Sequence, residues 1–242
     1  MLLEAKNVSK AFGSFLAVQG ADLTIAGGEI VGLIGPNGAG KSTFFNCLAG
    51  ATLPSGGNVL FDGVDLTTAP AEAHARAGIG RTFQVPATFE DLTVLDNVMV
   101  GAFLRHPHRR AARERALEVL DITELKDLAG QRAGALGTPG RKRLEIARVL
   151  ATGPKLMLLD EALAGLTPGE LPRAIALVRR IHQMGITLVI VEHIMEVIMT
   201  LTDRVVVFHQ GHVIARGKPA DVVKDEAVIE AYLGRGRRGR RG

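Results

Sequence analysis

Nine consecutive residues, Gly35-Pro36-Asn37-Gly38-Ala39-Gly40-Lys41-Ser42-Thr43, complete the pattern GxxxxGK[ST]. Each residue type has a physical task. Glycines let the backbone turn tightly and aim successive N–H groups inward, and a helix that follows adds its positive end. Lys41 reaches the terminal phosphates, and Ser42 offers a hydroxyl to Mg²⁺. The result is a cradle for a nucleoside triphosphate. The alternative is a glycine-rich strand-to-helix turn that binds nothing. The apolar run Ile30–Ile34 before the loop and the helical spacing of Phe44–Ala49 after it favour the cradle.

Phosphate chemistry also needs acids. Leu156–Asp160 is an apolar run that ends in Asp160-Glu161. Asp160, at the strand end, is placed to support the Mg²⁺ shell, and Glu161, one residue further, to polarise an attacking water. A second run, Thr187–Val191, leads into Glu192-His193 at the expected start of a helix. His193 is a candidate for the γ-phosphate, or else a helix-capping histidine. Gln84, after Ile79–Phe83, offers an amide oxygen to Mg²⁺ or to the water, or is polar surface. Cys47, within the helix after the phosphate loop, reads as a small core residue.

These groups require strands that deliver them to one edge. The runs Ile30–Ile34, Ile79–Phe83, Leu156–Asp160, Thr187–Val191 and Arg204–Phe208 alternate with helical patterns, which predicts an α/β fold with a parallel sheet. In such sheets ligands gather at the carboxyl ends of the strands. Ala5–Ile25, folded about Gly13-Ser14, and Asn58–Leu66, folded about Asp62-Gly63, predict an antiparallel subdomain. Val94–Ala102 and Ala112–Leu120 have helical spacing, separated by His106-Pro107-His108, and predict a helical insertion.

Composition agrees with one folded α/β domain: 242 residues, 47% apolar and 22% charged, with 29 glycines but no tryptophan. A single cysteine excludes an internal disulfide and a cysteine zinc cage, which points to a reducing compartment. The first residues lack a secretory pattern, and no run approaches the roughly 18 to 20 apolar residues of a membrane span. The net charge of +4 is outweighed by five arginines within Arg235–Gly242, a Gly/Arg tail expected to be flexible. The body of the chain is therefore nearly neutral.

Taken in order, GPNGAGKST, RTFQ, RLEIARVLATGPKLMLLDE and VIVEH resemble the ATP-binding subunit of an ABC transporter, over nearly the whole chain up to about Gly234. RTFQ, DLTVLDNV and the closing VIEAYLG resemble in particular the subunits of branched-chain or hydrophobic amino-acid importers. The resemblance implies a P-loop NTPase with a RecA-like core, an antiparallel β subdomain and a helical subdomain at about residues 88–150, within an ABC ATPase domain of residues 1–234. It implies ATP and Mg²⁺ as cofactors. Lys41, Gln84, Glu161 and His193 would be catalytic, Ser42, Gln84 and Asp160 would hold the metal, and Phe12 would stack on adenine. An aromatic in a hairpin core is the other reading of Phe12.

The family pairs two such domains head to tail around two ATP molecules, each bound between one chain's phosphate loop and the other's LSGGQ signature. Here that signature falls on Leu136-Gly137-Thr138-Pro139-Gly140. Pro139 has no N–H to offer the opposite γ-phosphate. A slide of one residue would put Thr138 and Gly140 in the contacting roles. The degenerate loop is the basis for expecting a second, different ATP-binding subunit, with a homodimer as the alternative. Membrane permease subunits and, indirectly, a substrate-binding protein are the other implied partners, at the cytoplasmic face of the inner membrane. No nucleic-acid partner is expected; a soluble ABC-type ATPase acting on nucleic acid or ribosomes is the competing reading. Lys41→Ala is expected to weaken Mg-ATP binding by about tenfold or more in calorimetry, because it removes a charge-assisted contact to phosphate.

Overall fold

The computed structural model describes residues 1–84 and 87–233. In chain order the first elements are β1 (Leu3–Phe12), β2 (Phe15–Ile25), β3 (Ile30–Ile34), α1 (Lys41–Leu48), β4 (Gly56–Phe61), β5 (Val64–Asp65) and α2 (Ala71–Ala77). There follow β6 (Ile79–Arg81), α3 (Val94–Ala102), α4 (Arg109–Ile122), α5 (Thr138–Ala151), β7 (Leu156–Asp160) and α6 (Leu171–Gln183). The chain closes with β8 (Thr187–Val191), α7 (Met195–Leu201), β9 (Arg204–His209), β10 (His212–Gly217), α8 (Pro219–Val222) and α9 (Glu226–Leu233). Two compact units result: Met1–Ala73 with the chain from Val189 on, and His74–Leu188.

In the first unit β2-β1-β4-β5 form an antiparallel sheet, with Leu3 opposite Ile25 and Phe12 opposite Phe15. The expected turns are present. Asp62 and Gly63, both at positive φ, close the second hairpin. Strand β3 runs parallel to β9, which pairs antiparallel with β10. All five β3 residues are buried, so it reads as a continuous apolar run rather than an alternation. Ile34, at its end, packs in a core with Ile198, Val205, Val207, Val222 and Val228. At its start, Ile30 N–H donates to Asp203 Oδ2 (2.7 Å), and Asp203 N–H returns a bond to Ile30 O.

In the second unit β6 runs parallel to β7, in the register Ile79–Leu156 and Arg81–Leu158. The crossover between them contains α3, α4 and α5, which fall in the region expected for the helical insertion. Thr93 caps α3 by accepting from Asp96 N–H at 3.0 Å. Buried Asn97 ties the preceding loop down, accepting from Phe89 N–H and donating to Phe89 O. On α6, Leu171, Ile175, Val178 and Ile181 recur at helical spacing and are buried, which is why that segment is a helix although it holds three arginines.

Several boundaries differ from those expected. The strand expected over Ile79–Phe83 ends at Arg81. Thr82 N–H still bonds Leu158 O, but the Thr82 hydroxyl turns to Asp160 N–H and Phe83 leaves the ladder. The helix expected to start at Glu192-His193 begins at Met195, because Ile194 keeps an extended backbone as its cap. Helix α1 starts at Lys41, three residues before the apolar run that suggested it. The Gly/Arg tail, 235–242, lies outside the described residues.

Helix α3 approaches α5 so closely at Gly101 that an added Cβ would lie 2.1 Å from Arg148 O. Gly101→Ala is therefore expected to destabilise the protein by about 1–3 kcal/mol in thermal unfolding, despite the better helix propensity of alanine.

Candidate functional site

The phosphate loop connects β3 to α1 and requires left-handed backbone at three glycines. Gly35, Gly38 and Gly40 have φ of 144°, 76° and 100°. Two of them also lack room. A Cβ on Gly35 would meet Phe208 O at 2.1 Å, and one on Gly40 would meet Ala17 O at 2.4 Å. The loop is braced from β2 and from the β9–β10 turn: Gly211 N–H donates to Ala39 O, and Gln19 N–H donates to Gly211 O. An α-helix offers the N–H groups of its first turn beyond its own end, and here that turn is Lys41-Ser42-Thr43.

Lys41 is 6% exposed, and its ammonium donates to Gly35 O (2.7 Å) and Pro36 O (2.9 Å), inside the curve of the loop. Asn37, Gly38 and Ser42 are exposed, and Pro36 and Thr43 half-buried, so the loop presents an open rim around a held cation. Ala39 is turned inward. Behind it, Phe44 packs on Phe208 with ring centroids 5.2 Å apart. Cys47 is buried in the same helix, which agrees with its reading as core. Burial pushes its thiol up to about 11.

The second unit carries the acids. Strand β7 is buried throughout, and Asp160 at its end is 6% exposed. The Thr82 hydroxyl accepts from Asp160 N–H at 3.0 Å and so fixes the strand end. Glu161 follows with φ 48°, a left-handed conformation unusual outside glycine. Its backbone oxygen accepts from Lys142 Nζ (2.8 Å) and Ala164 N–H (3.1 Å). Its carboxylate accepts from Gln84 Nε2 at 3.0 Å. The structure thus joins Gln84 to Glu161 directly. Thr82 and Lys142 were not legible in the sequence; both act on residues distant in the chain.

His193 is exposed, between β8 and α7. Phe12 is 52% exposed at the end of the β1–β2 hairpin, with Lys10 Nζ 5.1 Å from its ring centre. A ring so exposed is not the hairpin-core aromatic of the other reading. At the signature position Gly137 caps α5 without a side-chain bond, Thr138 is exposed in the first turn, and Gly140 is buried against Leu136. Pro139 costs the helix nothing there, because first-turn N–H groups have no intrahelical acceptor.

Each unit separately offers hard oxygens of the kind a metal could take, the Ser42 hydroxyl in the first and the Asp160 carboxylate and Gln84 amide oxygen in the second. Mg²⁺ keeps most of its shell as phosphate and water and needs only one or two protein oxygens, so this chemistry fits it. Among the described residues no helix is long and apolar enough to cross a membrane.

Residues 18–164 match the ABC transporter family model, and residues 212–237 match that of the branched-chain amino acid ATP-binding cassette transporter. Among curated relatives, the high-affinity branched-chain amino acid transport ATP-binding protein BraF of Pseudomonas aeruginosa is 36% identical, over 96% of this chain and 98% of its own. LivG of Escherichia coli, of the same description, is 39% identical with the same coverage. The lipopolysaccharide export system ATP-binding protein LptB of Escherichia coli is 38% identical, over 96% of this chain and 97% of its own. Among solved structures, a nucleotide-free ATP-binding cassette from an ABC transporter superimposes with a TM-score of 0.88 at 31% identity, covering 96% and 99% of the two chains. An ATP-binding cassette in its ADP conformation gives 0.87 at 31%, covering 96% and 98%.

The neutral, buried thiol of Cys47 is expected to resist a water-soluble maleimide in the native protein and to react within minutes once it is unfolded, as followed by intact mass.

Proposed function

This chain belongs to the ABC transporter family as one of its ATP-hydrolysing, ATP-binding subunits, and we propose that it powers an importer of branched-chain or other hydrophobic amino acids. The match of residues 212–237 to the branched-chain model supports that substrate class. So do BraF and LivG, though LptB serves export at comparable identity. No observation favours the nucleic-acid alternative.

The catalytic reading is carried by one observation, the 3.0 Å contact of the Gln84 amide with the Glu161 carboxylate. In the proposed mechanism the adenine stacks on Phe12. The phosphates lie along Gly35 to Thr43, taking N–H donors from the loop and the first turn of α1. Lys41 exchanges its loop carbonyls for phosphate oxygens and neutralises their charge. Ser42, Asp160 and Gln84 would be the protein oxygens that hold Mg²⁺, which would supply positive charge to offset that of the phosphates. Glu161 takes the proton of the attacking water while Gln84, through the other end of its amide, orients the carboxylate. His193 holds the γ-phosphate side of the arrangement.

Closure needs a second ATP-binding subunit, whose nucleotide would meet Thr138 and Gly140. Because Pro139 removes one donor from that helix start, the partner is proposed to be a different chain with a full signature. Binding of ATP would draw the two together and hydrolysis release them, moving permease subunits in the membrane, with this chain peripheral on the cytoplasmic face. The substrate-binding protein would act through the permease.

Glu161→Gln is expected to keep ATP affinity within about twofold and to lower turnover by about 100-fold or more, with a nucleotide-bound dimer accumulating in size-exclusion chromatography. Phe12→Ala is expected to raise the KM for ATP roughly tenfold with little change in kcat, since base–aromatic stacking contributes about 1–3 kcal/mol to binding.

A further inference from the structure

Helix α5 carries a carboxylate that the mechanism does not use. Glu145 is 5% exposed, although a buried carboxylate must be compensated to persist. Its Oε1 accepts from Phe83 N–H at 2.6 Å, the backbone donor that left the β6 ladder. Phe83 immediately precedes Gln84, whose amide rests on Glu161. One turn earlier on the same face of α5, Lys142 Nζ holds the backbone oxygen of Glu161. A single helix therefore grips both sides of the Gln84–Glu161 pair.

The neighbouring packing leaves this helix little freedom. A Cβ on Gly80 of β6 would lie 2.5 Å from Val149 Cγ1, so α5 rests directly on the strand that leads to Phe83. Arg81 stacks on the Phe83 ring, its guanidinium carbon 4.6 Å from the centre, and interacts electrostatically with Asp160 and Glu145. Arg148, one turn beyond Glu145, stacks on Phe89 and donates to Ala87 O. Burial pushes the Glu145 carboxyl up, opposed by the Phe83 N–H bond and by the charges of Arg148, Lys142 and Arg81.

We propose that Glu145 is a positioning residue for ATP hydrolysis: by holding Phe83 N–H it fixes where Gln84 begins, and so links the helix that starts at the signature position to the orientation of the Glu161 carboxylate. This rests on Glu161 being the base and Gln84 its orienting partner. A displacement of α5 at its signature end would reach Gln84 through Glu145 and Glu161 through Lys142.

The test uses the full chain co-purified with its second ATP-binding subunit, with Mg-ATP, and separates binding from turnover. Glu145→Met keeps the side-chain volume and removes the acceptor; it is expected to lower kcat roughly tenfold while the Kd for ATP stays within about twofold, since small misplacement of a catalytic group is costly. Glu145→Gln retains an acceptor oxygen and is expected to recover turnover to within about threefold of the parent. In a Gln84→Ala background, either Glu145 change is expected to lower kcat by less than about twofold further, because the effect passes through Gln84. Unchanged kcat in Glu145→Met, losses that multiply in the Gln84→Ala background, or a Kd that rises in step with lost turnover would overturn the proposal. If Glu145→Met does not fold, the cycle of Glu145→Gln with Gln84→Ala decides by the same criterion. Glu161→Gln, measured alongside, tests the base itself: full turnover there removes the underlying mechanism whatever Glu145 does.

Discussion

A triphosphate end carries several negative charges in a small volume, and backbone N–H groups are the donors a protein can pack around it most densely. That demands a chain able to enter left-handed conformations immediately after a buried strand and just before a helix. Gly35, Gly38 and Gly40 meet the demand, two of them where a side chain would strike a neighbouring carbonyl. The rest of the first unit follows from it. Strand β3 is buried along its length so that the loop has a fixed origin, and Asp203 and Gly211 tie down its base and its far side.

The second unit solves a different problem, fixing two adjacent acids at the end of a buried strand. Asp160 is fixed through its backbone by Thr82, and Glu161 is held at both ends, the carbonyl by Lys142 and the carboxylate by Gln84. These contacts come from the segment just after β6 and from α5, so the insertion between β6 and β7 supplies part of what holds the end of β7. Its length in sequence is what allows α5 to return over the strand that it follows.

What the sequence revealed and what it withheld divide along physical lines. The phosphate loop was legible because its chemistry is local, nine residues whose types leave little else to do. Buried strands were legible as runs of branched apolar residues. Local propensity carries β6 on to Phe83, a strong strand former, whereas its N–H is claimed by Glu145, 62 residues away. The start of α7 is hidden from the sequence because the extended backbone of Ile194 has no local signature. Thr82 and Lys142 were missed because a threonine or a lysine has no distinctive pattern until the chain brings it to a partner 78 or 19 residues away.

The backbone at Glu161 has one more consequence. A non-glycine residue in the left-handed region carries a penalty of about 1 kcal/mol, which glycine or asparagine would largely escape. Thermodynamics alone would therefore favour replacing this side chain, and a selection for heat resistance alone should drift toward glycine or asparagine here. Glutamate is held at this position against the preference of its own backbone.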